Sequence, residues 1–118
     1  MGAASRHGLL AAGVLLLGSA GAAAPPAAGP KTYTVAIENM QFNPGQLTVH
    51  RGDRIVWANK DLFPHTATAS NKAFDSGSIE AAASWTYVAA KPGDYSYGCS
   101  FHPTMKATIR VVSAAHEQ

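Results

Sequence analysis

In YGCSFHPTM, residues 97–105, Cys99, His102 and Met105 stand three residues apart, and Cys99 is the only cysteine of the 118-residue chain. Three residues of extended chain span at most about 10 Å. A thiol, an imidazole and a thioether at this spacing therefore reach one point if the chain between them closes into a tight loop. Two chemistries draw on such a set. Thiol hydrolysis starts from a Cys–His pair but needs a cleft and a third, orienting group as well. Metal binding needs a further ligand from elsewhere, and DLFPHTAT supplies His65. Two imidazoles, a thiolate and a weak thioether suit copper: the sulfurs favour the reduced ion and imidazole serves both oxidation states. Zinc would also enter a Cys–His–His site where it is the more available metal.

The start of the chain says where the thiol must survive. MGAASRHGLLAAGVLLLGSAGAAAPP has Arg6 and His7, an apolar run from Leu9 to Leu17, and small residues offering an Ala20-Gly21-Ala22 cleavage box. This is the layout of a secretory signal peptide, residues 1–22, removed on export. The apolar run is about nine residues where a membrane-spanning helix needs about 20, so no membrane span is expected after processing. Export leads to an oxidising compartment in which cysteines pair. Cys99 has no partner within the chain, which leaves it buried and inert, bridged to another chain, or held by a metal.

The elements that would position these groups begin after a flexible Ala/Pro linker, residues 23–31. Without the leader about 95 residues remain, linker included, enough for one domain with a modest core. Alternation sets in at Thr32: TYTVAI puts Tyr33, Val35 and Ile37 on one face, QLTVH does so with Leu47 and Val49, and DRIVWAN with Ile55 and Trp57. NPG, RGD and NKD punctuate these runs, and RGD reads as a turn rather than an adhesion signal. SWTYVA, KPGDYSYGC and ATIRVV follow, with Tyr95, Tyr97 and Cys99 on one face. Short strands at roughly ten-residue spacing predict an all-β, antiparallel Greek-key sandwich of about seven or eight strands. SIEAAASW would hold at most two turns of helix. The domain is expected over 32–113 with a tail at 114–118. Trp57, Trp85 and the four tyrosines read as structural, and His50 and His116 as solvated surface histidines.

VWANKDLFPHTAT followed by KPGDYSYGCSFHPTMKATIRV resembles the cupredoxins, the blue copper proteins, over nearly all of Thr32 to Val112. The Cys-x-x-His-x-x-Met spacing is similar to that of the amicyanins among them, whereas plastocyanins and pseudoazurins have a longer gap before the Met. The resemblance implies one type 1 copper ion held by His65, Cys99, His102 and axial Met105. It also implies that Asn59 ties the first ligand strand to Ser100, that the Thr66 N–H donates to the Cys99 sulfur, and that Pro103 has no N–H to offer. Around His102 it implies an apolar surface made by Met40, Phe63, Pro64 and Pro103. Three departures stand out. Phe101 replaces a proline, the segment from Ala69 to Ser84 is short, and Ala107 replaces a glycine, which would cost of order 1 kcal/mol if the backbone there needs positive φ.

The function implied is one-electron transport in the periplasm by a monomer, between a donor and an acceptor of dehydrogenase, cytochrome or oxidase type. The alternative is a periplasmic copper carrier or buffer that hands on the ion itself. Apart from Met1, the chain has only Met40 and Met105, poor in the soft side chains that ion delivery uses, which favours electrons. Catalysis is not expected. Four ligands leave no position for substrate, and a second copper centre would have only His50 and His116 to draw on. With nine Lys and Arg against seven Asp and Glu, and Arg6 lost with the leader, no basic stripe points to nucleic acid.

Overall fold

Side-chain alternation decides where the strands lie, because one face of each must leave water. The computed structural model describes residues 29–114, together with 2–4, 8, 12–15 and 18. The cleavage box, most of the expected linker and the tail from residue 115, His116 included, lie outside the described residues. Eight strands form: β1 (Thr32–Glu38), β2 (Gln41–Asn43), β3 (Gln46–His50), β4 (Arg54–Asn59), β5 (Thr68–Ala69), β6 (Ser84–Val88), β7 (Gly93–Gly98) and β8 (Lys106–Val112). They make two four-stranded sheets, ordered β2-β1-β4-β6 and β3-β8-β7-β5. No helix is present among the described residues. In SIEAAASW, Ala81 and Ala82 form a turn closed by the Ala83 N–H on the Glu80 carbonyl at 3.0 Å, with Ala82 at φ 65.

The sheets are mixed rather than purely antiparallel. β1 runs parallel to β4, from Thr32↔Arg54 to Ile37↔Asn59, and β3 runs parallel to β8, while the remaining pairs are antiparallel. The cause is the crossing of β3 into the second sheet, after which the chain re-enters the first beside β1 and in the same direction. Register is fixed by burial. Val35 and Ile37 lie inward level with Trp57 and Asn59, and a slip of one residue would send this set to solvent.

Phe74, between the sheets, fills the centre. Its ring touches those of Trp57, Trp85, Tyr87, Tyr95 and Tyr97, with centroids 4.9 to 6.4 Å away. The short 69–84 segment thus delivers an aromatic plug rather than a second layer of chain. At one end of the sandwich Asp53, 5% exposed, accepts the N–H groups of Lys31 and His50, each at 2.9 Å, and makes RGD a closed turn with Gly52 at φ 96. His50 leans on the same carboxylate at 3.9 Å. β1 starts at that end and finishes at the other, where the ligand loops lie.

Candidate metal centre

β7 brings Cys99 in on the buried face that already carries Tyr95 and Tyr97. The next six residues close into a tight loop. The Cys99 N–H donates to the Met105 carbonyl at 3.3 Å and the Met105 N–H to the His102 carbonyl at 3.0 Å. Gly98 permits this closure, because a Cβ there would stand 2.6 Å from the Met105 carbonyl oxygen. His65 comes from the connection after β4 and is held against Ile79 by two backbone bonds, at 3.1 and 2.7 Å. Asn59 shapes that connection. Its amide donates to the carbonyls of Phe63 and Ile79 at 2.8 and 2.9 Å, and its oxygen accepts the Asp61 N–H at 3.0 Å. The expected tie from Asn59 to Ser100 is absent: the Asn59 amide spends its donors on Phe63 in its own loop and on Ile79, 20 residues on, and its oxygen on Asp61. Ser100 is tied instead by Thr66, whose hydroxyl accepts the Ser100 N–H at 2.8 Å. The Thr66 N–H donates to Cys99 Sγ at 3.4 Å.

Three electron-pair donors meet. His65 Nδ1 and His102 Nδ1 are 3.1 Å apart, and Cys99 Sγ lies 3.7 and 3.6 Å from them. A point equidistant from the three is about 2 Å from each, the length of a metal–imidazole bond and slightly under a metal–thiolate one. Facing lone pairs at these distances call for a cation among them, so the residues fit a metal. Inward Nδ1 lone pairs also require the proton on the outer nitrogen. For His65, which is fully buried, that outer Nε2–H donates to Asp61 Oδ2 at 2.8 Å.

Asp61 is the functional residue that sequence reasoning missed. Its carboxylate accepts the N–H groups of Asn39 and Met40 at 2.7 and 3.0 Å, the two residues of the β1–β2 turn that hold positive φ, 53 and 58. One side chain thus orients a metal ligand and steadies a strained turn. Desolvation raises the Asp61 pKa, but the bonds from Met40, His65 and Asn39 outweigh it and hold the carboxyl below its ordinary range. The available signal was an acid four residues before the histidine of DLFPH.

The profile of the cupredoxin-like domain family matches residues 8–111. The chain belongs to that family. Similar solved structures include a copper(I) form of an amicyanin variant, 22% identical at a TM-score of 0.63, covering 68% of this chain and 81% of that one. A purple cupredoxin from Nitrosopumilus maritimus is 24% identical at 0.61, covering 67% and 98%. A copper-containing nitrite reductase from Thermus scotoductus SA-01 is 27% identical at 0.66, covering 77% of this chain but 25% of that one. In this cupredoxin His65, Cys99, His102 and Met105 form a type 1 copper arrangement, and copper is its cofactor. Met105 is buried at 2% exposure at the exit of the ligand loop.

Of the departures, Ala107 carries no strain. It lies within β8 opposite Tyr97 and is not among the positive-φ residues. Phe101 is 51% exposed and Leu62 88%, so both add to the exposed apolar side chains of the ligand loops, with Phe63 at 59% and Met40 at 37%. Pro64 and Pro103 are exposed as well, and His102 is half-buried between them and the metal site. Met40 shares a shallow groove with Thr104 and Met105, which places the β1–β2 turn beside the ligand loop.

Proposed function

We propose that this cupredoxin is a periplasmic one-electron carrier, exported by cleavage of residues 1–22, that exchanges electrons with redox proteins through His102. The observation that carries the reading is the convergence of His65 Nδ1, His102 Nδ1 and Cys99 Sγ in a site closed by protein, with one imidazole fully buried and the other half-buried. When bound, copper supplies the one-electron change. The side chains keep the ligands still during that change. Asp61 fixes the ring of His65, the Thr66 N–H balances charge on Cys99 Sγ, and the bonds across residues 99–105 hold His102 and Met105. Still ligands mean little reorganisation, which is what a fast carrier requires. Met105 would add a weak thioether ligand, and His102 would link a bound copper to the apolar end formed by Met40, Phe63, Pro64 and Pro103.

Electron and ion delivery separate in one experiment. Reduced, copper-loaded protein is mixed in a stopped-flow instrument with a candidate acceptor while colour and protein-bound copper are followed. A carrier becomes coloured with its copper retained. Copper appearing on the acceptor without colour would show a copper-delivery protein instead.

A further inference from the structure

The segment that brackets Cys99 carries a chain of hydroxyl groups ending on an exposed carboxylate. Thr66 donates its N–H to Cys99 Sγ, and its hydroxyl accepts the N–H of Ser100. That hydroxyl lies 2.9 Å from Thr68 Oγ1, which is 3.2 Å from the Ser100 hydroxyl and donates to Asp75 Oδ1 at 3.0 Å. Asp75 also accepts the Gly77 N–H at 3.0 Å. The fold makes this juxtaposition: Thr68 sits opposite Gly98 on one side and opposite Asp75 on the other. We propose that Asp75, acting through Thr68 and Thr66, is a positioning residue for the Cys99 thiolate and sets the reduction potential of the centre.

Proton counting gives the chain a single direction. An ionised carboxylate only accepts, so the one proton of the Thr68 hydroxyl is committed to Asp75. The hydroxyls of Thr66 and Ser100 must then both donate to Thr68, filling its two lone pairs. With its proton spent, the Thr66 oxygen has lone pairs left for the Ser100 N–H, and each bond polarises the next. Without Asp75 the Thr68 proton is free to turn toward Thr66 or Ser100, several hydroxyl arrangements become equivalent, and the grip on the Ser100 N–H weakens. The Thr66 backbone is then less firmly held, and so is the N–H that it aims at Cys99 Sγ. Such an N–H withdraws electron density from the thiolate and favours reduced copper; loosening it favours the oxidised ion.

The inference rests on the copper–thiolate reading of Cys99, and its test has one arm that needs no copper. In the metal-free protein, amide hydrogen exchange at Ser100 is followed by NMR. In the copper-loaded protein, the reduction potential is measured by voltammetry. Asp75→Ala and Thr68→Val are expected to speed Ser100 exchange at least threefold. Both should also shift the ratio of Cu(II) to Cu(I) affinity about threefold toward Cu(II), a potential lower by about 30 mV at 59 mV per tenfold. Asp75→Asn keeps an oxygen for Thr68 and should remain at or slightly above the unsubstituted protein in potential, with unchanged exchange. The sign is decisive, since removing a negative charge without disturbing the chain raises the potential. Unchanged exchange in Asp75→Ala, or a rise in its potential equal to that of Asp75→Asn, overturns the proposal. A protein with faster exchange but no coloured copper form would instead refute the thiolate reading while leaving the hydroxyl chain intact.

Discussion

At the scale of single residues, the chemistry concentrates on one sulfur. Cys99 is buried beside Tyr97, His65 and Met105, at the edge of a core whose apolar faces bury one another. Cys99→Ser is accordingly expected to abolish the thiolate-to-copper absorption band and leave the far-ultraviolet circular dichroism unchanged; a serine variant that keeps the band would dismiss Cys99 as its source. Cys99, His102 and Met105 were legible because their three-residue spacing is local, whereas His65, 34 positions from Cys99, was legible through the resemblance carried by the residues around it. Asp61 was not, since its role depends on Asn39 and Met40 arriving from 22 and 21 residues upstream. The Asn59 expectation failed for a related reason. The Asn59 amide is taken up by two backbone groups of its own loop, at Phe63 and Asp61, and by the Ile79 carbonyl 20 residues on, rather than by Ser100.

Among the elements, the junction of β7 and β8 decides whether the ligand loop closes. Gly98 faces the Met105 carbonyl, a backbone group that cannot rotate away as a side chain would. Gly98→Ala is expected to destabilise the protein by about 1–3 kcal/mol, the usual range for overpacking, and to shift the copper–thiolate band. Urea unfolding and absorption spectra check both, and a variant matching the unsubstituted protein in each would mean that the loop has slack. The six longer strands announced themselves by alternation, but β2 and β5 did not. Strands of three and two residues offer too few positions for a period of two to register. Nor does alternation carry direction, so the parallel β1–β4 and β3–β8 pairs were invisible in it.

For the molecule as a whole, β1 separates two ends: Asp53 holds Lys31 where the domain begins, and Asp61 holds Met40 where the ligand loops lie. The first strand starts away from the metal site, and the exposed apolar side chains of the ligand loops lie at the opposite end. Transient redox encounters bury little area, so a single charge there matters. Phe63→Glu is expected to slow electron exchange with a partner and self-exchange on the order of tenfold, equivalent to about 1.4 kcal/mol, with the absorption spectrum unchanged; unaltered rates would place the port elsewhere. The packed centre sets an alkaline limit. Burial pushes the Tyr97 hydroxyl up to about 12 from an ordinary value of 10.0. The unfolded chain therefore loses this proton first as pH rises. Stability attributable to Tyr97 is full below pH 10 and declines between about 10 and 12, by on the order of 2–3 kcal/mol. Denaturant titrations across that range should show the decline, and Tyr97→Phe should flatten it.

The sequence by itself determined the donor residues, their order, the strand faces and the copper chemistry, because each depends on residue type and on short stretches of chain around each position. Tertiary structure alone decided which groups hold the donors in place. Asp61, the Thr66 hydroxyl and the plug at Phe74 act on partners far away in the chain, and a hydrogen bond between distant residues exists only once packing has brought donor and acceptor within about 3 Å.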